Sequence, residues 1–347
     1  MVGALVLTVL LSGCQPTTEG QDTRPSIIRA ALREGEVVIY TNTDVTDQIA
    51  AGFERRFPGM KARFVEVTSS NLQTAVVSEA ETGAGKADLV WSSSMDIQIK
   101  LINDGYAQTY DSPEAHDLPN WAVWRDQGFG VTAEPIVFAY NRRLLPPDQV
   151  PRSHAALLEA LRTDPERWRG KIATYDPETS GVGFMYLSAD TQVYPEAWSL
   201  LAAIGESGPS LDVAGGVILG KLDTGERLLV YNMNAIYARW WTRHRNLDVV
   251  YVTPEDYHLS ISRVAFIPKS APHPNAARLF LDYLMSEEGQ ATLEQAGFTP
   301  VRDGGVETPG ARPIRVGPAL LANLDQSRRA SLLSEWRDRV HPQSAGD

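Results

Sequence analysis

Short apolar runs alternate with amphipathic stretches along most of the chain. Val37-Val38-Ile39-Tyr40 is a β-branched and aromatic run, which predicts a strand buried on both faces. Thr41-Asn42-Thr43-Asp44 follows, then a helix to about Phe57, stopped by Pro58-Gly59 and capped by Thr43 or Asp44. Ala62 to Val67 predicts a second strand, and Thr68-Ser69-Ser70-Asn71 precedes a second helix to about Thr82. Ala87 to Trp91 is a third strand, followed by Ser92-Ser93-Ser94 and a helix ending near Asn103-Asp104-Gly105. Such a β-α-β-α-β order implies a parallel sheet with right-handed crossovers.

A second block repeats the pattern. Strands are predicted at Pro135–Tyr140, Lys171–Thr174, Leu228–Tyr231, Val249–Val252 and Arg263–Ile267. Helices open after Thr179-Ser180-Gly181 and after Asn232-Met233-Asn234. Pro274 to Met285 carries Ala276, Leu279, Phe280, Tyr283 and Leu284 at helical spacing, and Ala319 to Val340 holds two more helical stretches. No solenoid-length repeat interrupts this order.

The 347 residues suit two domains, or one large one. Charged residues make up 22% and the net charge is −11, which disfavours a nucleic-acid partner, since that affinity comes from neutralising phosphates. One cysteine excludes an intrachain disulfide, and none of the six histidines forms an H-x-x-x-H pair, the common helical zinc motif. No Ser stands in a G-x-S-x-G setting, and spacing offers no nucleophile–base pair, so an enzyme is not expected. The Trp240-Trp241 pair reads as packing, and Glu54-Arg55-Arg56 and Arg328-Arg329 as solvated helix faces.

Val2 to Leu11 is apolar but too short to span a bilayer. It ends in Leu11-Ser12-Gly13-Cys14, which resembles the lipobox of bacterial lipoprotein signal peptides, although no Lys or Arg precedes the run. The resemblance implies a signal peptide over 1–13 and a lipid on Cys14. Residues 14–34 would then serve as a tether.

Four strand-to-helix junctions are rich in hydroxyl and amide side chains: Thr41-Asn42-Thr43, Ser69-Ser70-Asn71, Ser92-Ser93-Ser94 and Thr179-Ser180-Gly181. Asn232-Met233-Asn234 adds amides. In an open parallel sheet, ligands bind outside the carboxyl ends of the strands. Helix N-termini there present unpaired N–H groups and a positive dipole end, which suits an anion. Each junction taken alone also reads as a simple helix cap.

From about Gly35 to Arg302 the chain resembles the bacterial extracellular solute-binding proteins of ABC importers, in the group of iron(III), sugar-phosphate and phosphonate receptors. The resemblance is carried by VVIYTNTD, ADLVWSSSMDIQIKLINDGYAQ, PIVFAYN, YDPETSGVG, LLVYNMNAIYARWW and SRVAFIPKSAPHPNAARLFLDYLMSEEGQ. It implies a two-lobed α/β class II periplasmic binding protein fold with two crossover hinge strands, near Val131–Asn141 and Leu259–Ile267. Lobe 1 would be 35–133 plus 265–310 and lobe 2 would be 134–264. Residues 311–347 would pack back as helices. The partners implied are a small solute and a membrane permease, in a periplasmic, membrane-anchored monomer without a cofactor or metal. The same domain also serves a solute-sensing receptor of a membrane kinase.

Ferric-binding relatives carry an adjacent Tyr-Tyr pair, whereas Asn234-Ala235-Ile236-Tyr237-Ala238 holds one tyrosine. A hard trivalent cation needs several anionic oxygens, so an anionic, phosphorylated or phosphonate-like solute is expected over bare iron(III). Thr41, Thr43, Ser69, Ser92, Ser93, Thr179, Ser180 and Gly181 are the expected oxyanion contacts, with Asn232, Asn234 and Tyr237 bonding from the far lobe. Asp44, Asp176 and Asp256 could accept from sugar hydroxyls or an amine, and Asp44 and Asp176 read equally as caps. Trp91 and Tyr175 would flank the ligand, or Trp91 would be core. Arg263 would neutralise an anion or form a structural ion pair.

Overall fold

The computed structural model describes residues 24–43, 45–302 and 309–340. The chain begins with α1 (Arg24–Glu34), then β1 (Glu36–Thr41), α2 (Asp47–Arg56), β2 (Lys61–Glu66), α3 (Ser69–Thr82), β3 (Leu89–Ser92), α4 (Met95–Asn103), β4 (Val123–Trp124) and β5 (Gly128–Gly130). It continues through β6 (Glu134–Asn141), α5 (His154–Thr163), α6 (Pro165–Trp168), β7 (Ile172–Tyr175), α7 (Gly181–Val193), α8 (Ala197–Glu206), β8 (Ser210–Asp212), α9 (Gly215–Asp223), β9 (Leu229–Asn234), α10 (Ala235–His244), β10 (Val249–Val252) and β11 (His258–Ile261). Then come β12 (Val264–Phe266), α11 (Pro274–Met285), α12 (Glu287–Gln295), β13 (Ala311–Pro313), a 3-10 helix at Pro318–Leu324 and α13 (Gln326–Val340).

Two sheets form. The first runs β2-β1-β3-β12-β5-β4, and the second β13-β11-β6-β9-β7-β8 with β10 beside β6. In β1, Val37 and Ile39 enter the core under α11, while Val38 and Tyr40 enter the core on the opposite face. Burial on both faces explains why this central parallel strand is a continuous apolar run. On α11, Ala276, Leu279, Phe280, Tyr283 and Leu284 are all buried, as their spacing requires.

The chain leaves the first sheet after β5, enters the second at β6, and returns between β11 and β12. A third passage leads from residues 299–300, which bond beside Thr132 and Ala133, to β13. The segment after Gly310 therefore begins with a strand before its helices. α13 packs on α8, and the 3-10 helix packs on α4. The Arg329 guanidinium lies 4.1 Å from the Phe184 ring of α7. It also faces Asp96 of α4, whose carboxyl is raised by burial and partly restored by that positive charge. The C-terminal segment thus touches helices on both sheets.

Two expectations change here. Arg24–Glu34, the second half of the segment read as a tether, is a helix packed against α11. The cap position of α2 is Thr46 rather than Thr43 or Asp44. Thr43 and Val45, ahead of the helix, line a cavity with residues of α9 and α10.

Candidate functional site

The carboxyl ends of β1 and β3 face elements of the second sheet across a cleft. Its base is a buried polar cluster where the two crossovers meet. Arg263 is 0% exposed and Glu134 is 1% exposed. Arg263 Nε donates to Glu134 Oε1 at 3.0 Å, and its Nη1 donates to Asn42 Oδ1 at 3.1 Å. Thr132 Oγ1 donates to the same Glu134 oxygen at 2.9 Å and accepts from the Arg263 amide at 2.8 Å. The rings of Trp91 and Phe298 lie 5.8 and 5.2 Å from the guanidinium. Burial works against the Arg263 charge, but Glu134 and then Tyr237 outweigh it, so its pKa is raised. Nη2 is buried and lacks a partner of good hydrogen-bond geometry.

Asn42 ties this cluster to the first sheet. Its Nδ2 donates to Ser93 Oγ at 3.0 Å and its Oδ1 accepts from the Ser93 amide at 3.2 Å. Ser92 is buried and its Oγ accepts from the Ser94 amide at 3.1 Å. Thr41 is buried with an unpaired Oγ1 beside Trp91 in the β1–β3 ladder. Trp91 belongs to the core under α11 and does not flank the cleft.

Across the cleft, Asn234 Nδ2 donates to Glu134 Oε2, and its Oδ1 caps α10 through the Ile236 amide at 2.9 Å. Asn232 behaves differently. It has a φ of 59°, next to a register irregularity between β6 and β9. This bulge turns its amide onto buried Asp190, which also accepts from Tyr231 and Tyr257 at 2.8 and 2.9 Å. Burial pushes the Asp190 carboxyl up, and these donors partly offset that. Asn232 is thus spent inside the second lobe.

Ser180 is buried and caps α7 through the Gly183 amide at 3.2 Å. Thr179 is exposed and donates to Asp176 Oδ2 at 2.7 Å, and Gly181 is exposed. Asp176 also accepts from the Glu178 amide, and Asp256 pairs with His154, so both carboxylates are engaged locally. Tyr175 is buried against Met233. Ser69 opens α3. Its side chain, Asp44 and Cys14 lie outside the described residues.

Between the lobes lies a cavity of about 180 Å³, lined by Thr43, Val45, Gly216, Leu219, Ile236, Tyr237, Trp240 and Trp241. Thr43 Oγ1 accepts from the Val45 amide at 3.3 Å, which leaves its own hydrogen to donate. Gly216 lies in the first turn of α9, where amides have no intrahelical acceptor. Gly215 is a glycine by necessity, since a Cβ there would come within 2.6 Å of Tyr175 Oη. Sequence reasoning does not place α9, although Gly215-Gly216, which follow Ser210–Asp212 after Val213-Ala214, are a usable signal. It also reads Trp240 and Trp241 only as packing, whereas both are partly exposed on this cavity. Among the described residues no His, Cys, Asp or Glu cluster could hold a metal ion, and no helix is long and apolar enough to cross a membrane.

Residues 48–311 match the family model described as bacterial extracellular solute-binding protein. The chain belongs to this family. A substrate-binding protein of an ABC transporter from Agrobacterium tumefaciens is 31% identical, with 88% of this chain and 94% of that one covered and a TM-score of 0.78. Iron-bound HitA from Pseudomonas aeruginosa shares the fold at 21% identity, covering 87% and 98%, with a TM-score of 0.65. AfuA from Actinobacillus pleuropneumoniae, with fructose-6-phosphate bound, does so at 20% identity, covering 88% and 99%, with a TM-score of 0.66. The two-lobed α/β architecture is that of these solute-binding relatives.

Proposed function

We propose that this solute-binding protein is the substrate-binding component of an ABC transporter and that its solute is a small organic anion. The observation that carries this reading is the interlobe cavity wall, which among the described residues includes no acidic side chain but has donors at Thr43, Gly216 and Tyr237. Arg263 stands behind Tyr237, which is close enough to favour the Arg263 charge. A trivalent cation would instead ask for several anionic oxygens around it. Attachment through Cys14 to a membrane lipid rests on Leu11-Ser12-Gly13-Cys14, and labelling with a radioactive fatty acid, lost in Cys14→Ser, tests it.

Thermal-shift titration against phosphate esters, phosphonates, carboxylates and ferric citrate is the direct test. A ligand at a hundredfold excess over Kd stabilises the native state by about 2.7 kcal/mol. Organic anions are expected to raise the melting temperature, and stabilisation by ferric iron alone overturns the reading. Gly216→Glu sharpens the test. A Cβ at Gly216 meets nothing within 4 Å, and an acid in the first turn of a helix is favourable for folding. The variant should fold normally and lose anion binding at least tenfold.

A further inference from the structure

The cavity wall changes character along two helices at once. Gly216 and Tyr237 lie in the first turns of α9 and α10, and Leu219, Trp240 and Trp241 lie one turn further on. One turn is about 5 Å along each axis. The donors therefore occupy one level of the wall, beside Val45 and Ile236, and an aliphatic and aromatic surface occupies the next. Trp241 spends its single polar atom on Asp223, with Nε1 donating to Oδ2 at 3.3 Å. Trp240 is held in place by the His244 ring, stacked at 4.9 Å and 27°.

The volume limits what fits. An apolar cavity of about 150 Å³ is known to take up benzene. A space of about 180 Å³ is of a size to hold one six-membered ring with a small substituent. On the Leu219–Trp240–Trp241 surface a sugar ring would find at most the Trp240 indole N–H, fewer partners than its hydroxyls need. A flat apolar ring would meet that surface at no such cost and gain aromatic contact. The charge expected on the ring's substituent is negative: α10 carries Arg239, Arg243 and His244 and no acid, and the Asp223 carboxylate is already taken by Trp241 and Asn246.

We propose that the solute is an aromatic anion, a single aryl or heteroaryl ring bearing a phosphate, phosphonate or carboxylate, with its ring on Trp240 and Trp241 and its anionic group at the Thr43–Gly216–Tyr237 level. This rests on the anion reading above and names the class of solute within it. Trp240 and Trp241 are then the residues that set specificity.

The test uses the full chain and four probes: phenyl phosphate, glucose 6-phosphate, inorganic phosphate and phenyltrimethylammonium, with benzoate as a carboxylate control, titrated by calorimetry and by quenching of tryptophan fluorescence. Phenyl phosphate is expected to bind at least tenfold tighter than each of the other three. Trp241→Ala, and independently the half-exposed Trp240→Ala, should weaken phenyl phosphate at least tenfold more than inorganic phosphate, with unchanged circular dichroism. Equal or tighter binding of glucose 6-phosphate overturns the aromatic assignment and leaves the anion reading standing. Preference for phenyltrimethylammonium overturns both, as does failure of all three phosphates and of benzoate, the carboxylate control, to bind.

Discussion

The Arg263 guanidinium meets the Glu134 carboxylate at 3.0 Å where the β5–β6 and β11–β12 passages run side by side, with neither group open to solvent. The pair is 129 residues apart in the chain. Its remaining hydrogen bonds reach the first sheet through Asn42 and the second through Asn234. A buried ion pair contributes little net stability, but removing one partner leaves the other charged and unpaired. Glu134→Ala should therefore cost about 3–5 kcal/mol in urea unfolding, and Arg263→Met a similar amount. The double variant should cost clearly less than the sum. Additive losses would mean that the pair does not act as a unit.

A carboxylate–imidazole contact makes stability depend on pH. Asp256 Oδ1 lies 2.9 Å from His154 Nδ1. Burial alone would raise the Asp256 carboxyl, but His154 and the amides of Tyr257 and His154 hold it at about 2. A free Asp titrates near about 3.9. Because the folded value is the lower one, the stabilisation is complete above about pH 5 and fades as the pH falls toward 2. Asp256→Asn should be less stable than wild type at pH 6, and the difference in urea midpoint should shrink steadily between pH 5 and pH 2. A difference constant across that range would sink the assignment.

Gly205 inverts a general rule. Gly→Ala inside a helix usually gains about 0.5–1 kcal/mol. Here a Cβ would lie 2.6 Å from Val340 Cα and 2.7 Å from its carbonyl oxygen. Gly205→Ala should lower the melting temperature and speed amide exchange in α13, which packs on α8. A stabilised variant with unchanged exchange would show that α13 does not rest on that surface.

Much of the fold was legible because its signals are local. The run Val37–Tyr40 needs both faces buried, and Ala276 to Leu284 needs one helical face buried, wherever those faces find a partner. The site was less legible. Thr41 and Asn232 come from polar junctions as expected, yet the first points into the core and the second onto Asp190. Side-chain direction at a strand end depends on register and bulges, and these depend on distant partners. The same is true of Glu134, which stands out in the sequence only as an acid heading an apolar strand.

Residue order by itself determined the alternation of strands and helices and the supply of hydroxyl, amide and glycine residues after the strands. Periodicity and turn chemistry act over a few residues, so they survive without knowledge of neighbours. Only the tertiary structure decided which of those groups remain available to a guest. It committed the side chains of Asn232 and Thr179 as donors to internal carboxylates, and it brought Thr43, Gly216, Tyr237 and two tryptophans around one cavity. Each buried polar atom takes the nearest suitable partner in space, and that partner is set by how the two sheets meet.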